Sequence, residues 1–122
     1  MQVRELVGGS ATVGGPDLTL EEAARVMIDE HIGSIGVVDG GKLVGILTDR
    51  DLVRAAAAGA DPTSAKVREW MTPDPDRLSP DADVEEAAEW LLATGYRHLP
   101  VVDGDRLLGI LSIKDLLWAL EG

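Results

Sequence analysis

The segment Gly45-Ile-Leu-Thr-Asp-Arg-Asp51 decides the fold, because a close copy of it returns 64 residues later as Gly109-Ile-Leu-Ser-Ile-Lys-Asp115. Aligned with itself at this offset, the chain shows no gap and 20 identities in 56 positions. Self-similarity at a fixed offset indicates a duplicated structural unit. We therefore expect two repeats, at residues 1–60 and 61–122, in a chain of single-domain size.

Both copies show the same order of hydrophobic periods. Apolar residues first recur at the spacing of an amphipathic helix, then form two short β runs joined by a glycine-containing turn, and a second helix follows. This order predicts an α/β (α+β) fold built from two β-α-β-β-α units. The predicted elements are helices at 20–28, 50–58, 84–92 and 113–120, hairpins at 34–47 and 98–111, and extended pieces at 11–13 and 77–79.

Two further local signals concern helix starts and the region between the copies. Thr19 with Glu22, and Asp83 with Glu86, have the spacing of a capping box at the first helix of each copy. The proline-containing stretch 72–81 is expected to form an irregular entry to the second copy.

Composition excludes several classes of function. The 22 acidic and 11 basic side chains give a net charge of −11, which disfavours nucleic-acid polymers as partners. The chain has no cysteine, which excludes disulfides and thiol nucleophiles. No signal peptide or membrane span is visible, so we expect a cytoplasmic protein without a membrane partner. His31 and His98 lack a third ligand for a metal, and no catalytic triad is present, so we expect no enzyme.

These features together resemble the cystathionine β-synthase (CBS) domain, which normally occurs as a tandem pair. The family motif is Gly, two hydrophobic residues, Ser or Thr, two free positions and Asp, and each copy contains it. Tyr96–Val101 is also similar to the first hairpin strand of the family. The first copy departs from the pattern, with residues 7–10 (VGGS) where residues 71–74 (MTPD) fit better, and with Gly36 in place of the equivalent of Pro100.

The resemblance implies that the two repeats form one module about a pseudo-twofold axis, with two clefts for adenine nucleotides or S-adenosylmethionine. Each cleft would combine the motif and first hairpin strand of one copy with residues of the other. The residues implied for one cleft are Ser112, Lys114, Asp115, Arg97, His98 and Ile110, with Thr12, Ser34 and Ile35. Those implied for the second are Thr48, Arg50, Asp51 and Ile46, with Leu78 and Leu99.

The chemistry of the motif allows two interpretations. A carboxylate at the start of a helix can accept hydrogen bonds from ribose hydroxyls, and the neighbouring hydroxyl and N–H groups can bind phosphate. The same Ser/Thr-x-x-Asp spacing is also that of a helix cap which binds nothing. Arg97 and His98 favour phosphate at the second motif, whereas Gly33 and Ser34 at the equivalent positions offer no cation. We therefore expect two unequal sites.

These features predict a regulatory sensor for AMP, ADP, ATP or S-adenosylmethionine, without a cofactor of its own. The alternative is a module that binds no ligand and serves dimerisation or protein interaction; an enzyme is the least favoured hypothesis. We expect a homodimer, because the last helix is apolar on most sides, and the sequence does not identify a regulated partner. The apolar residues of that helix are Leu116, Leu117, Trp118 and Leu120.

Overall fold

The structure is a computed structural model that describes residues 1–7 and 11–121. In this part, the helices are a short 3₁₀ helix (Val3–Glu5), α1 (Leu20–Glu30), α2 (Asp49–Ala57), α3 (Val67–Trp70), α4 (Val84–Thr94) and α5 (Ile113–Glu121). The strands are β1 (Val13–Gly14), β2 (Ser34–Asp39), β3 (Lys42–Thr48), β4 (Thr72–Pro73), β5 (His98–Asp103) and β6 (Arg106–Ser112). The predicted α+β class, with its four longer helices and two hairpins, is confirmed.

The chain divides into two compact units, each with one copy of the motif. The first-motif unit is Thr12–Pro75 and contains Asp51. The second-motif unit joins Met1–Ala11 to the chain from Asp76 onward and contains Asp115. Each unit therefore takes in the first residues of the other sequence copy.

The first-motif unit is built on a four-stranded sheet in the order β1-β2-β3-β4, in which β1 is parallel to β2 and the other pairs are antiparallel. Helix α1 buries one apolar stripe, as its periodicity predicts. Antiparallel pairing places Thr48, the last residue of β3, opposite Ser34 at the start of β2. The core residues are Leu20, Ala23, Met27, Ile35, Val37, Leu47, Ala55 and Val67.

The second-motif unit repeats this plan around the β5–β6 hairpin. Leu78 replaces a full first strand: its N–H donates to the carbonyl of Pro100 at 2.8 Å, and its carbonyl accepts from Val102 at 2.9 Å. The predicted extended piece at 77–79 is thus confirmed as a single parallel bridge. The core residues are Val3, Val84, Ala87, Leu91, Leu99, Val101, Leu111 and Leu116.

The short segment that begins each copy docks on a Pro-Asp pair of the other copy. The backbone N–H of Arg4 donates to the carbonyl of Pro80 at 3.2 Å, and the Arg4 guanidinium pairs with Asp81. Arg68, which is equivalent to Arg4, makes the same two contacts with Pro16-Asp17. The identical Val-Arg-Glu and Pro-Asp sequences of the two copies are therefore the two halves of one repeated contact.

Two local predictions are wrong. Thr72–Pro73 does not belong to an irregular entry to the second copy, because it forms β4 and pairs with β3 of the first-motif unit. The capping box of Thr19 and Glu22 forms, but Asp83 makes no side-chain cap at α4. The N–H of Val84 instead donates to the carbonyl of Met1 at 3.0 Å, so this first-turn donor has a backbone partner. The predicted departure at residues 7–10 falls largely on residues 8–10, which lie outside the described part.

Candidate ligand-binding site

The first motif forms a closed capping box where β3 passes directly into α2. Oδ2 of Asp51 accepts hydrogen bonds from the Thr48 backbone N–H at 2.8 Å and from its hydroxyl at 3.2 Å. The Asp51 N–H donates back to Thr48 Oγ1 at 3.3 Å. These bonds satisfy donors that the start of a helix leaves without partners. The first motif therefore caps α2, and its part in binding a ligand stays a prediction.

The second carboxylate oxygen of Asp51 also has a partner. Nη1 of Arg54, one turn further along α2, donates to Oδ1 at 3.1 Å. The Arg54 guanidinium lies 5.8 Å from the centre of the Trp70 ring, at the distance of a cation–π contact. Asp51 is only 5% exposed. The first motif is thus a buried carboxylate with donors on both oxygens.

The second motif forms the same box with a different neighbour. Oδ2 of Asp115 accepts from the Ser112 N–H at 2.9 Å and from the Ser112 hydroxyl at 3.0 Å. The residue one turn further along α5 is Trp118, where α2 has Arg54. Within the described residues, no side chain donates to Oδ1 of Asp115. This carboxylate is half-buried and keeps one oxygen for a further donor.

The hairpin places Arg97 and His98, the predicted partners of a phosphate, beside the second motif. His98 lies opposite Ser112 in the β5–β6 register, and the carbonyl of Arg97 accepts from the N–H of Ile113 at 3.2 Å. Arg97 is exposed and His98 is half-buried. At the equivalent point of the first-motif unit, Gly33 accepts from Asp49, and no cationic side chain is supplied.

The remaining predicted residues are divided between the two units. Thr12, Ser34 and Ile35 lie in the first-motif unit, and Leu78 and Leu99 lie in the second-motif unit. Ile35 and Leu99 are almost fully buried in their cores, so they offer a ligand only backbone groups. Their grouping with the motif of the other unit stays a prediction. Four further predicted residues lie next to their motifs as expected: Ile46 and Ile110 on the preceding strands, and Arg50 and Lys114 as exposed cations in the first helical turns.

Neither the hydrogen bond from Arg54 to Asp51 nor the contact of Arg54 with Trp70 was predicted from the sequence. The spacing of Arg54 from Asp51, three residues along a helix, is visible in the sequence as an ion-pair signal. Trp70 packs against the core of its unit. Its contact with Arg54 joins α3 to α2 and has no local sequence signal.

Two further observations concern a metal site and a membrane span. In residues 1–7 and 11–121, no three His, Cys, Asp or Glu side chains cluster in a way that could hold a metal ion. Across the same ranges, no helix has the length and apolarity needed to cross a membrane.

Comparison with known proteins gives one assignment for both copies. The CBS domain family model matches residues 15–58 and 67–122. An uncharacterised 17.7 kDa protein of Acidianus ambivalens is 36% identical over 121 residues, which cover 98% of this chain and 73% of that one. The crystal structure of the CBS domain protein NE2398 has a TM-score of 0.94 and 30% identity, and the match covers 100% of this chain and 98% of that one.

A third similar protein was solved with ligands. The CBS domain pair of protein MJ0100, in complex with 5′-methylthioadenosine and S-adenosyl-L-methionine, has a TM-score of 0.91 and 27% identity. The match covers 100% of this chain and 97% of that one. The likeness therefore extends over the whole of both chains.

Proposed function

This chain belongs to the CBS domain family and carries both repeats of a tandem pair, and from this membership we propose that it is a regulatory module that binds an adenosine-containing ligand beside Asp115. The observation that carries the proposal is the Asp115 carboxylate, which has one oxygen in a helix cap and the other without a donor among the described residues. A ribose hydroxyl is a donor that this oxygen can accept.

The groups around Asp115 support an adenosine ligand with a phosphate or another charged group. The protein carries a net charge of −11 and repels anions at long range. Local cations must therefore provide the attraction for a phosphate, and Arg97 and Lys114 are the exposed cations next to the motif. The similar structure of protein MJ0100 contains two adenosine compounds, which supports the same ligand class here. The cytoplasmic location stays a prediction of the sequence.

Thermal unfolding with a panel of ligands tests this proposal. AMP, ADP, ATP and S-adenosylmethionine are added in turn, and a ligand at 100 times its Kd stabilises the folded protein by about 2.7 kcal/mol. Asp115→Asn should remove the stabilisation. Asp103→Asn changes an exposed carboxylate at the end of β5 and should leave it intact. If no compound shifts the unfolding temperature, the proposal of an adenosine sensor fails.

A second candidate function is assembly, and an apolar surface on one unit favours it. Large apolar side chains are exposed on α4, on α5 and in the turn after α4, and Trp118 is 70% exposed. Helices α4 and α5 contact each other, and exposed apolar side chains on neighbouring helices are typical of interaction surfaces. We call this set the α4–α5 surface. Its members are Trp90, Leu92, Tyr96, Leu117, Trp118 and Leu120.

We propose that the α4–α5 surface joins two copies of the chain in a homodimer. Light scattering should then give twice the chain mass of 12.9 kDa at micromolar concentration. Trp118→Glu should yield the monomer, because a charge cannot be buried there without a partner. Val53→Glu, at an exposed apolar position of α2, is the matched control and should remain dimeric. A wild-type mass of 12.9 kDa would refute the dimer.

A further inference from the structure

We propose that Arg54 is a specificity-determining residue that closes the first motif to ligand and so restricts adenosine binding to the motif of Asp115. This inference rests on the proposed function, because it divides that function unequally between the two motifs. It assigns to the Thr48–Asp51 motif a structural role alone.

The contacts of Asp51 carry the first step. A ribose diol is recognised when a carboxylate accepts hydrogen bonds from both hydroxyls. Oδ2 of Asp51 already accepts two bonds from Thr48, and Oδ1 accepts the charge-assisted bond from Arg54 at 3.1 Å. These bonds occupy three of the roughly four acceptor positions of the carboxylate, so a ribose diol, which needs two, would have to displace the guanidinium. Loss of a charge-assisted hydrogen bond of this kind weakens binding by about tenfold or more.

Trp70 holds the guanidinium in place from a second side. Its ring centre is 5.8 Å from Cζ of Arg54, and the ring is itself packed against the core of the first-motif unit. The Arg54 side chain is 56% exposed, so the ion pair alone would be weakened by water. Contacts with both a carboxylate and an indole ring restrict its motion in a way that one exposed ion pair would not.

The second motif shows what the same box looks like without this arginine. Trp118 stands at the position equivalent to Arg54, and Leu6 stands at the position equivalent to Trp70. Neither can donate a charged hydrogen bond to Asp115. The carboxylate with Arg54 one turn later has donors on both oxygens, and the carboxylate with Trp118 at that place has donors on Oδ2 alone among the described residues.

Isothermal titration with AMP and with adenosine tests the role of Arg54. The wild type should bind one ligand per chain, and Asp115→Asn should abolish this binding. Arg54→Met keeps an unbranched side chain of similar helix propensity but removes the donor. It should raise the stoichiometry to two per chain, and adding Asp51→Asn should return it to one. Arg25→Met removes an exposed cation of the same unit and should leave the stoichiometry at one.

The outcomes separate this inference from the proposed function. Two ligands per wild-type chain, or one per Arg54→Met chain, would overturn the role of Arg54 while the adenosine sensor stands. No binding by any of these variants would overturn the proposed function and this inference with it. Should Arg54→Met fail to fold, Trp70→Leu copies Leu6 of the other unit and loosens the arginine. This variant should show a second, weaker site, and a stoichiometry that stays at one would count against the inference.

Discussion

The first-motif and second-motif units form the same helix cap, but their two aspartate carboxylates differ in their capacity to accept further hydrogen bonds. In both, a hydroxyl and a carboxylate three residues apart cap the helix that follows the hairpin. In one, Arg54 satisfies the remaining carboxylate oxygen of Asp51, and in the other the oxygen of Asp115 keeps its capacity to accept. In both units, therefore, the motif serves as a helix cap. The residue one turn later decides whether it can also serve a ligand.

The two cores should contribute similarly to stability. Truncation of equivalent buried residues tests this and should give the largest effect. Leu47 and Leu111 are equivalent in sequence and fully buried in their units. Replacement of either by Ala should lower the free energy of unfolding by about 2–5 kcal/mol, because a cavity remains. Urea unfolding measures the loss, with Ile28→Ala at an exposed position of α1 as the control. A loss in only one unit would show that the cores are not equivalent.

The basic residue Arg97 beside the second motif should affect the affinity for AMP and the affinity for adenosine differently. Arg97→Ala should weaken AMP by about 1.5–3 kcal/mol, because a charge-assisted contact with phosphate is lost, and should leave adenosine nearly unchanged. Asp115→Ala should weaken both ligands by removing the ribose acceptor. Isothermal titration measures all four affinities, and Arg106→Ala in the hairpin is the control. Equal losses of AMP and adenosine in Arg97→Ala would show that this arginine does not contact phosphate.

Two equivalent glycines, Gly45 and Gly109, lie against the short segment that begins the other sequence copy, and substitution of either tests this contact. A Cβ on Gly109 would lie 2.6 Å from Cβ of Val7, and one on Gly45 would lie 3.0 Å from the carbonyl oxygen of Thr72. Ala at either position should therefore destabilise the protein by about 1–3 kcal/mol. Gly15→Ala meets no atom within 4 Å and should have little effect. Thermal unfolding measures the three variants, and a neutral Gly109→Ala would argue against the docking of Val7.

The smallest expected effect concerns the caps of the first helices, where α1 has a capping box and α4 does not. Hydrogen bonds from the Thr19 backbone and hydroxyl lower the pKa of Glu22 below its ordinary value of 4.5. Because this pKa is depressed on folding, its contribution to stability is present above the ordinary pKa and is lost as the pH falls through the folded value. Thr19→Val should raise the pKa of Glu22, as an NMR titration would show. An unchanged pKa would contradict the hydroxyl's part in this cap.

Much of the fold could be predicted from the sequence, because the helices and hairpins follow from hydrophobic periods within each copy. The contact between the start of each copy and the Pro-Asp pair of the other copy could not be predicted. The pairing of Arg4 with Asp81 spans 77 residues, and the identities between copies show only that such segments match. The closed state of the first motif was also missed. The cations beside the motifs were considered only as partners of phosphate, whereas Arg54 binds the carboxylate of its own helix.

An NMR titration of the ¹⁵N-labelled protein with AMP tests the central claim most directly, because it reports on both motifs at once. We expect large shifts of the amide resonances of Ser112, Asp115 and His98, whereas those of Thr48 and Asp51 should stay near their positions in the free protein. Large shifts at Thr48 and Asp51, with or without shifts at Ser112 and Asp115, would show that the first motif also binds AMP.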